Sequence, residues 1–447
     1  MSSFASYHIY RQQLLAEYPA DQIEDVLPRL QNLRHHQKEW ATLSMSKRME
    51  LLSHLGERLT MQKDLLADMI CEEVGRCRAE CAAEIQKSLD LIKYYTQIAP
   101  NLLARKSITT QATVSEVAFE PLGVILAVMP WNYPVWQILR FAIPALCAGN
   151  ACVVKPAPSV ARVSHTLRDL IGDALPFSLA CIEHQDIECL IQHTDALAFT
   201  GSTKTGSYLA SLAGKHLKKC VMELGGSNPF IVMADADIQA AAKDACRARF
   251  RDAGQSCNAA KRIIVVPEIA DEFIAQFIEH CRTLKTGDPM HPETSLACLH
   301  LPSAALSMQN FVDDAIFQGA QCLLGGKILS QHQYAATVLD HVPLNAKVAT
   351  EEVFGPVVAI FRAQNAEDAI RIANHTPYGL GASIYTSDLQ QAHQWARQLE
   401  AGSVFINRHT SSDLRMPFGG VKSSGFGREL SEFGLYEFVN IKSYWQK

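Results

Sequence analysis

The chain has 447 residues, of which 48% are hydrophobic and 19% charged, and its formal net charge is -5. A chain of this length and composition can bury the cores of two or three domains, which excludes a disordered chain and a single small domain. This net negative charge argues against a general nucleic-acid-binding surface and against a surface that binds anionic membranes.

The thirteen cysteines bear on the compartment and on metal binding. They contain no C-x-x-C pair, so the pattern favours free thiols in a reducing compartment over disulfides or zinc. The sixteen histidines are scattered, and the sequence contains no metal-ligand cluster. The N-terminus lacks the basic and apolar regions of a signal peptide. We therefore expect a cytoplasmic protein without a metal.

Helices are predicted for most of residues 1–106. The leucines between Leu51 and Leu59 fall on one face of a helix, which Gly75 is expected to end. Residues 107–121 alternate between β-branched and polar side chains, a pattern that predicts a hairpin.

From Pro121 onwards, short apolar runs alternate with helical segments. The runs are Val124–Met129, Ala151–Lys155 and Ala196–Thr200. This order of strand, helix and strand is typical of a parallel sheet. Residues 123–154 carry a single charge, but prolines and a Gly-Asn pair divide them. We therefore predict strand, buried helix and strand there rather than a membrane span.

A glycine-containing turn follows the third of these strands. The segment Phe199-Thr-Gly-Ser-Thr-Lys-Thr-Gly206 opens a helix, and Gly201 permits a tight turn. The unpaired N–H groups of a helix N-terminus can bind a phosphate. The segment is not G-x-G-x-x-G, so by itself it is a weak indication of dinucleotide binding.

A second α/β unit is predicted after Glu223. Its helices are expected at Asp237–Ala253, ended by Gly254, and at Ala270–Leu284. Its strands are expected at Phe230–Met233, Arg262–Val266, Val357–Phe361, Ala382–Tyr385 and Val404–Asn407.

Three side chains lie in sequence environments that are unusual for their residue types. Cys257 lies in a short polar loop between a predicted helix and strand, although a single cysteine is more often a small buried hydrophobe. Glu223 lies inside an apolar run, where carboxylates are rare, and Asn132 lies between two prolines in a rigid turn. A thiol, a carboxylate and a fixed amide donor are the parts that thiol-based acyl chemistry needs.

Five motifs occur in an order that is typical of one family. They are Met129-Pro-Trp-Asn-Tyr-Pro134, Phe199-Thr-Gly-Ser-Thr-Lys-Thr-Gly206, Glu223-Leu-Gly-Gly226, Gly254-Gln-Ser-Cys257 and Glu351-Glu-Val-Phe-Gly-Pro356. With these motifs the chain resembles the aldehyde dehydrogenase superfamily from about residue 20 to its C-terminus. The ending Phe418-Gly-Gly-Val-Lys-Ser-Ser-Gly-Phe-Gly-Arg-Glu429 resembles the short bacterial branch of succinate-semialdehyde dehydrogenases.

The resemblance implies an α/β fold with a Rossmann-like cofactor domain, an α/β catalytic domain and a small β oligomerisation arm. The cofactor domain would comprise residues 1–106 and 122–224, and the catalytic domain residues 225–427. The arm would comprise residues 107–121 and 428–447 and would build a homodimer or homotetramer. The family's usual N-terminal strands, which precede the first helix, are expected to be missing.

The resemblance also assigns the catalytic roles. The Cys257 thiolate would attack the aldehyde carbon, and the Asn132 amide with the Cys257 N–H would hold the oxyanion. Glu223 would activate the water that hydrolyses the resulting thioester.

The cofactor implied by the resemblance is NAD or NADP. Its expected contacts are Trp131, Lys155, Pro158, Ser159, Gly201, Ser202, Leu224, Glu352 and Phe354. Lys155 would reach the adenosine ribose, Glu352 the nicotinamide ribose, and Phe354 the nicotinamide. Many relatives carry a glutamate where this chain has Pro158, and that carboxylate would repel a 2′-phosphate. NADP is therefore not excluded electrostatically here.

Substrate recognition is expected from Arg140, Arg251 and Ser412, which match the residues that hold the substrate carboxylate in succinate-semialdehyde dehydrogenases. A guanidinium fork binds a carboxylate bidentately. Each residue also has a structural interpretation, since Arg140 could pair with a buried acid and Arg251 with a nearby carboxylate, while Ser412 could be a loop hydroxyl. The expected partner is therefore a small aldehyde, with succinate semialdehyde as first choice.

Three alternative functions stay open. The chain could oxidise another short aldehyde, or it could be a CoA-acylating aldehyde dehydrogenase, although Glu223 argues against the latter. It could also be a non-enzymatic ligand-binding relative, against which the complete set of Cys257, Glu223 and Asn132 argues.

Overall fold

The structure is a computed structural model that describes residues 3–447. The α-helices are α1 (Ile23–Thr42), α2 (Met45–Met61), α3 (Lys63–Val74), α4 (Arg78–Leu102), α5 (Pro134–Cys147), α6 (Ala161–Ile171), α7 (Ile187–Gln192), α8 (Thr203–Lys215), α9 (Ile238–Phe250), α10 (Ala270–Arg282), α11 (Pro302–Phe317), α12 (Lys347–Thr350), α13 (Ala366–Asn374), α14 (Leu389–Ala396) and α15 (Ser431–Tyr436). The strands are β1 (Ser3–His8), β2 (Gln13–Pro19), β3 (Lys106–Ser107), β4 (Val114–Pro121), β5 (Val124–Val128), β6 (Ala151–Lys155), β7 (Phe177–Leu179), β8 (Ala196–Thr200), β9 (Lys219–Glu223), β10 (Asn228–Val232), β11 (Ala260–Val265), β12 (Gln321–Leu324), β13 (Ile328–Ser330), β14 (Gln333–Tyr334), β15 (Thr337–Asp340), β16 (Val357–Arg362), β17 (Tyr378–Gly379), β18 (Gly381–Tyr385), β19 (Ser403–Ile406), β20 (Val421–Lys422), β21 (Gly425–Phe426) and β22 (Val439–Gln446).

The first large sheet has the strand order β21-β9-β8-β5-β6-β7. Its strands are parallel except β21, which pairs antiparallel with β9. Strands β5, β6 and β8 are apolar because helices cover both faces of the sheet, as is usual for parallel strands. The predicted strand–helix–strand order is confirmed.

The second large sheet has the strand order β12-β15-β16-β11-β10-β18-β19 and is parallel except for the edge strand β12. The five strands predicted for the second half all belong to it, with bounds that differ by one or two residues. The turn after β5 contacts the loop that precedes β11, where Asn132 donates a hydrogen bond to the Gln255 carbonyl oxygen, and β9 ends at Glu223. The catalytic candidates lie on these connections.

A third sheet has the order β22-β4-β3. Strand β22 pairs antiparallel with β4 along its whole length, from Val439 opposite Pro121 to Gln446 opposite Val114. The predicted pairing of the 107–121 segment with a C-terminal strand is confirmed. The hairpin itself is short, because β3 contains only Lys106 and Ser107.

Two expectations for the N-terminal region were wrong. Strands β1 and β2 form an antiparallel hairpin before α1, so the N-terminal strands are present. The helix expected to run to Gly75 is two helices, because the backbone of Gln62 (φ -109°, ψ 13°) interrupts it. Gly75 does end the second of them, α3, in a left-handed conformation (φ 84°).

The helix that leads to Cys257 is shorter than predicted. Asp237, the first residue of the predicted helix, caps its N-terminus, but α9 ends at Phe250 rather than at Ala253. Asp252, Ala253 and Gly254 then adopt left-handed φ angles of 53°, 51° and 72°. Two of these three residues are not glycine, and nothing in the local sequence predicts that conformation.

Helix α5 accounts for the apolar run between residues 123 and 154. All of its residues are buried, including Arg140, because it packs against α4 and the first sheet. Among residues 3–447, no helix is long and apolar enough to cross a membrane.

Candidate active site

Cys257 lies in the loop between α9 and β11. The first part of this loop, residues 252–254, has a left-handed backbone conformation. The left-handed residue Asp252 is buried, and its carboxylate accepts hydrogen bonds from Arg76 Nε at 2.5 Å and from the Tyr133 hydroxyl. Its backbone N–H donates to Glu80 at 2.9 Å. These contacts offset the cost of a left-handed non-glycine backbone.

Arg76 links this loop to the turn that contains Asn132. Its guanidinium is buried and pairs with both Asp252 and Glu84. The other carboxylate oxygen of Glu84 accepts the backbone N–H groups of Val135 and Trp136 at 3.0 and 2.9 Å, in the first turn of α5. An acid at a helix N-terminus is favourable. The network therefore fixes the nucleophile loop relative to the candidate oxyanion donor.

The Cys257 side chain is partly exposed and lines a cavity of about 130 Å³. Burial raises the pKa of its thiol to about 11, while Lys261 and Arg140 act in the opposite direction. Lys261 Nζ donates to the Cys257 carbonyl oxygen at 3.1 Å, so this cation also fixes the loop. Without a further positive charge or a base, the thiol keeps its proton at neutral pH.

Asn132 belongs to the turn between β5 and α5, and Pro134 begins the helix. Its Nδ2 donates to the Gln255 carbonyl oxygen at 3.0 Å, two residues before Cys257. The side chain is 5% exposed, so the amide is held inside the site. The amide therefore lies against the loop that carries Cys257, and its role as an oxyanion donor stays a prediction.

Glu223 is the last residue of β9, and its side chain is 3% exposed. Neither carboxylate oxygen has a hydrogen-bond partner among residues 3–447. Burial raises the pKa of this carboxyl well above its usual value, and Glu429 raises it further. A carboxyl with a raised pKa in a dry site is suited to accept a proton from water.

The predicted phosphate-binding turn lies at the carboxyl end of β8. Ser202 caps α8, and its hydroxyl accepts the Thr205 N–H at 3.3 Å. A Cβ at Gly201 would lie 2.5 Å from the Phe199 ring, so only glycine fits the turn. Leu224 packs against Gly206 and brings the end of β9 close to α8.

Lys155 lies at the end of β6, where the phosphates and ribose of a dinucleotide are predicted to bind. Its side chain is 3% exposed and makes no salt bridge within the described part of the chain. Burial lowers the pKa of its ammonium group. A buried cation without an acid is stabilised by an anionic or hydroxyl-rich ligand. Together with the turn at Gly201, which follows β8 of the same sheet, it fits the ribose and phosphates of NAD or NADP.

An aromatic group lies between the two sheets. The Trp131 ring stacks on His300 with centroids 4.2 Å apart, and Phe354 meets it edge-on at 5.9 Å. His300 Nε2 lies 2.7 Å from Ser159 Oγ. The neighbouring Pro158 is exposed at the start of a short 3-10 helix, next to the end of β6.

Glu352 makes internal contacts in this structure. Its Oε1 accepts hydrogen bonds from Lys261 Nζ at 2.7 Å and from the Gly226 N–H at 3.1 Å. The carboxylate thus connects the motif around Glu223 to the loop around Cys257. Its predicted contact with a ribose stays a prediction.

The three predicted substrate residues all line the cavity at Cys257. Arg140 is buried and pairs with Glu429 at 2.5 Å, the kind of buried acid that its structural interpretation requires. Arg251 Nε lies 3.4 Å from Asp252, and Ser412 accepts a hydrogen bond from Lys87. Their contact with a substrate stays a prediction.

Sequence reasoning missed Lys87 and His300. Lys87 projects from α4 into the cavity, and His300 packs between Trp131 and Ser159. Neither lies in a motif, and their partners are 325 and 141 residues away in the chain, so no local signal identifies them.

The chain is similar to known proteins over nearly its whole length. The model of the aldehyde dehydrogenase family matches residues 2–444. The chain is 39% identical to the succinate semialdehyde dehydrogenase [NAD(P)+] Sad of Escherichia coli (strain K12), over 92% of this chain and 90% of that protein. It is 41% identical to a probable succinate-semialdehyde dehydrogenase [NADP(+)] of Synechocystis sp., over 90% of each.

A solved structure has the same fold. The succinic semialdehyde dehydrogenase of Streptococcus pyogenes, in complex with NADP+, superposes with a TM-score of 0.95 at 31% identity and covers 99% of both chains. The sheets, the cysteine loop and the family match lead to one conclusion. The chain belongs to the aldehyde dehydrogenase family.

Proposed function

We propose that the protein oxidises succinate semialdehyde to succinate with NAD or NADP. The observation that carries this proposal is the cavity at Cys257, which Lys87, Arg140, Arg251 and Ser412 line. A cationic wall next to a thiol nucleophile suits an aldehyde that carries a carboxylate. The names of the two relatives and of the solved structure point to the same substrate.

The reaction begins at Cys257. Its thiol loses a proton to solvent, and the thiolate sulfur attacks the aldehyde carbon, which forms a thiohemiacetal with a negatively charged oxygen. The charge on the former carbonyl oxygen is held by the Asn132 amide and the Cys257 N–H. Such fixed donors act where charge develops and need no reorganisation during the reaction.

The second half of the reaction belongs to Glu223. NAD or NADP, when bound, would supply the acceptor for the hydride of the thiohemiacetal carbon, and Cys257 would then carry the thioester. Glu223 takes a proton from water, the resulting hydroxide attacks the thioester, and succinate leaves as the sulfur recovers its charge. The raised pKa of Glu223 makes it a stronger base for this step.

The cofactor would lie along the carboxyl ends of the first sheet. Lys155 and Ser159 would hold the adenosine ribose, Gly201 and Ser202 the pyrophosphate, and Phe354 the nicotinamide. We assign residues 1–106 and 122–224 to this cofactor domain and residues 225–427 to the catalytic domain. The arm of β4 and β22 would pair subunits of a homodimer or homotetramer.

The alternative functions are less well supported by the site. A CoA-acylating enzyme would need no base for water, whereas Glu223 is present and buried beside the cavity residues. A non-enzymatic relative would have no use for a nucleophile loop fixed by buried ion pairs. The free state of all thirteen cysteines suits a reducing compartment such as the cytoplasm.

The decisive experiment is a panel of aldehydes assayed with NAD and with NADP. Succinate semialdehyde should give the highest kcat/KM, glutarate semialdehyde a lower one, and butanal the lowest. A higher kcat/KM for butanal than for succinate semialdehyde would refute the proposed substrate. The CoA-acylating alternative predicts instead that turnover requires CoA.

A further inference from the structure

The cavity at Cys257 contains one lysine that belongs to no known motif of the sequence. Lys87 projects from α4, and its ammonium donates a hydrogen bond to the Ser412 hydroxyl. The same nitrogen lies 4.4 Å from the centre of the Trp136 ring, a cation–π contact. The side chain is half-buried.

Each of the three arginines that line the cavity is either paired with a carboxylate or exposed to solvent. Arg140 pairs with Glu429 at 2.5 Å, and Arg251 lies 3.4 Å from Asp252. Arg247 is exposed to solvent and needs no partner.

Lys87 differs from them, because within residues 3–447 it makes no salt bridge and its hydrogen-bond acceptor is a neutral hydroxyl. Burial, together with the positive charges of Arg140 and Arg251, lowers the pKa of its ammonium to about 7. Asp413 and the Cys257 thiol act in the opposite direction without neutralising it. A half-buried ammonium in this setting is stabilised by an anionic ligand.

We propose that Lys87 is the residue that selects the substrate, and that its ammonium binds the carboxylate of a short ω-carboxy aldehyde at Ser412. The inference rests on the proposed function, and it names the group that recognises the negative charge. The carboxylate supplies the counter-charge that the cavity lacks, while the aldehyde end reaches Cys257 in the same cavity.

Arg140 is less suited to this task than Lys87. Its guanidinium is 2% exposed, and besides Glu429 it contacts the Thr200 hydroxyl at 3.3 Å. A substrate carboxylate that bound there would compete with a buried carboxylate already in place, which is unfavourable. Arg140 therefore contributes to the positive electrostatic potential of the cavity, and Lys87 makes the direct contact with the substrate carboxylate.

The test compares succinate semialdehyde with its methyl ester, which has nearly the same shape and no charge. In Lys87→Met, the ratio of kcat/KM for the acid to kcat/KM for the ester should fall roughly 10- to 100-fold, as expected for loss of a hydrogen bond to a charged group. Lys87→Arg keeps the charge and should keep most of the ratio. Lys93→Met is the matched control, because Lys93 is exposed on the same helix.

Each outcome bears on a different claim. An unchanged ratio in Lys87→Met, or equal losses in Lys87→Met and Lys87→Arg, would overturn the role of Lys87. If the wild-type protein itself oxidises the ester as efficiently as the acid, the proposed substrate is wrong, whatever the variants do. Lys87→Gln provides a second neutral side chain if the methionine variant does not fold.

Discussion

At the scale of single residues, Cys257 and Glu223 share one physical property. Burial raises the pKa of the thiol to about 11 and raises that of the carboxyl well above its usual value. The thiol is therefore protonated at neutral pH before ligands bind. In both groups burial disfavours the charged form, which acts against two buried negative charges beside each other.

The raised pKa of Cys257 predicts its reactivity in the cofactor-free protein. The thiolate is the reactive form, and below the pKa its fraction rises about tenfold for each pH unit. The rate constant for alkylation of Cys257 by iodoacetamide should therefore rise about 100-fold from pH 7 to pH 9. Mass spectrometry of the Cys257 peptide measures it, with Cys257→Ala as control. A plateau below pH 8 would show that another group stabilises the thiolate.

The separation of nucleophile and base predicts the behaviour of Glu223→Gln. Formation of the thioester needs Cys257 and the hydride acceptor but not Glu223, whereas its hydrolysis needs the base. The variant should release about one equivalent of NAD(P)H per site in a rapid burst and then stop. Stopped-flow absorbance and the mass of the acylated protein measure both events. Steady turnover at the wild-type rate would mean that another residue activates water.

The catalytic candidates could be predicted because each breaks a local rule. Glu223 interrupts an apolar strand, and Asn132 lies in a turn that prolines fix. Lys87 breaks no rule, since it lies on an amphipathic helix between the exposed residues Gln86 and Asp90. Only packing of α4 against α5 and the loop at Ser412 turns this lysine towards the cavity.

At the scale of elements, the loop between α9 and β11 depends on a buried ion network. The predicted helix continued to Ala253 because propensity favours it, but the chain leaves the helix after Phe250. Arg76 and Tyr133, which are distant in sequence, hold Asp252 in its left-handed conformation. A local pattern cannot reveal such long-range partners, whereas the central strands β5, β6 and β8 and five strands of the second sheet follow from apolar runs alone.

This network predicts a large effect for Arg76→Met. Removal of the guanidinium leaves Glu84 and Asp252 buried without their cation, which costs about 3–5 kcal/mol. Denaturant unfolding should show that loss, and kcat should fall because the Cys257 loop is no longer fixed. Arg78→Met is the matched control, since Arg78 pairs with Asp64 and Asp68 near the surface. Its loss should be at most about 1 kcal/mol. Equal losses in the two variants would contradict a special role for the buried network.

At the scale of the whole molecule, the two large sheets together form the candidate cofactor cleft. Lys155 and Ser159 follow β6 of the first sheet, while His300 comes from the connection that precedes α11 in the second half. Burial lowers the pKa of His300 to about 4, so the ring is neutral and bonds Ser159 without repelling or attracting a phosphate. The charges that face an adenosine 2′-phosphate are then set by Lys155 and by the residue at position 158.

Pro158 therefore predicts the choice of cofactor, because no carboxylate stands where one would repel a 2′-phosphate. The wild-type protein should use both NAD and NADP. Pro158 is exposed, so a glutamate fits there, and Pro158→Glu should lower kcat/KM for NADP relative to NAD by roughly tenfold or more. Pro158→Gln has the same size without the charge and should leave that ratio within about threefold of the wild type. Fluorescence titration with NADPH and NADH measures the same preference without turnover. If the glutamate and glutamine variants change the ratio equally, the proline ring rather than the missing charge decides which cofactor binds.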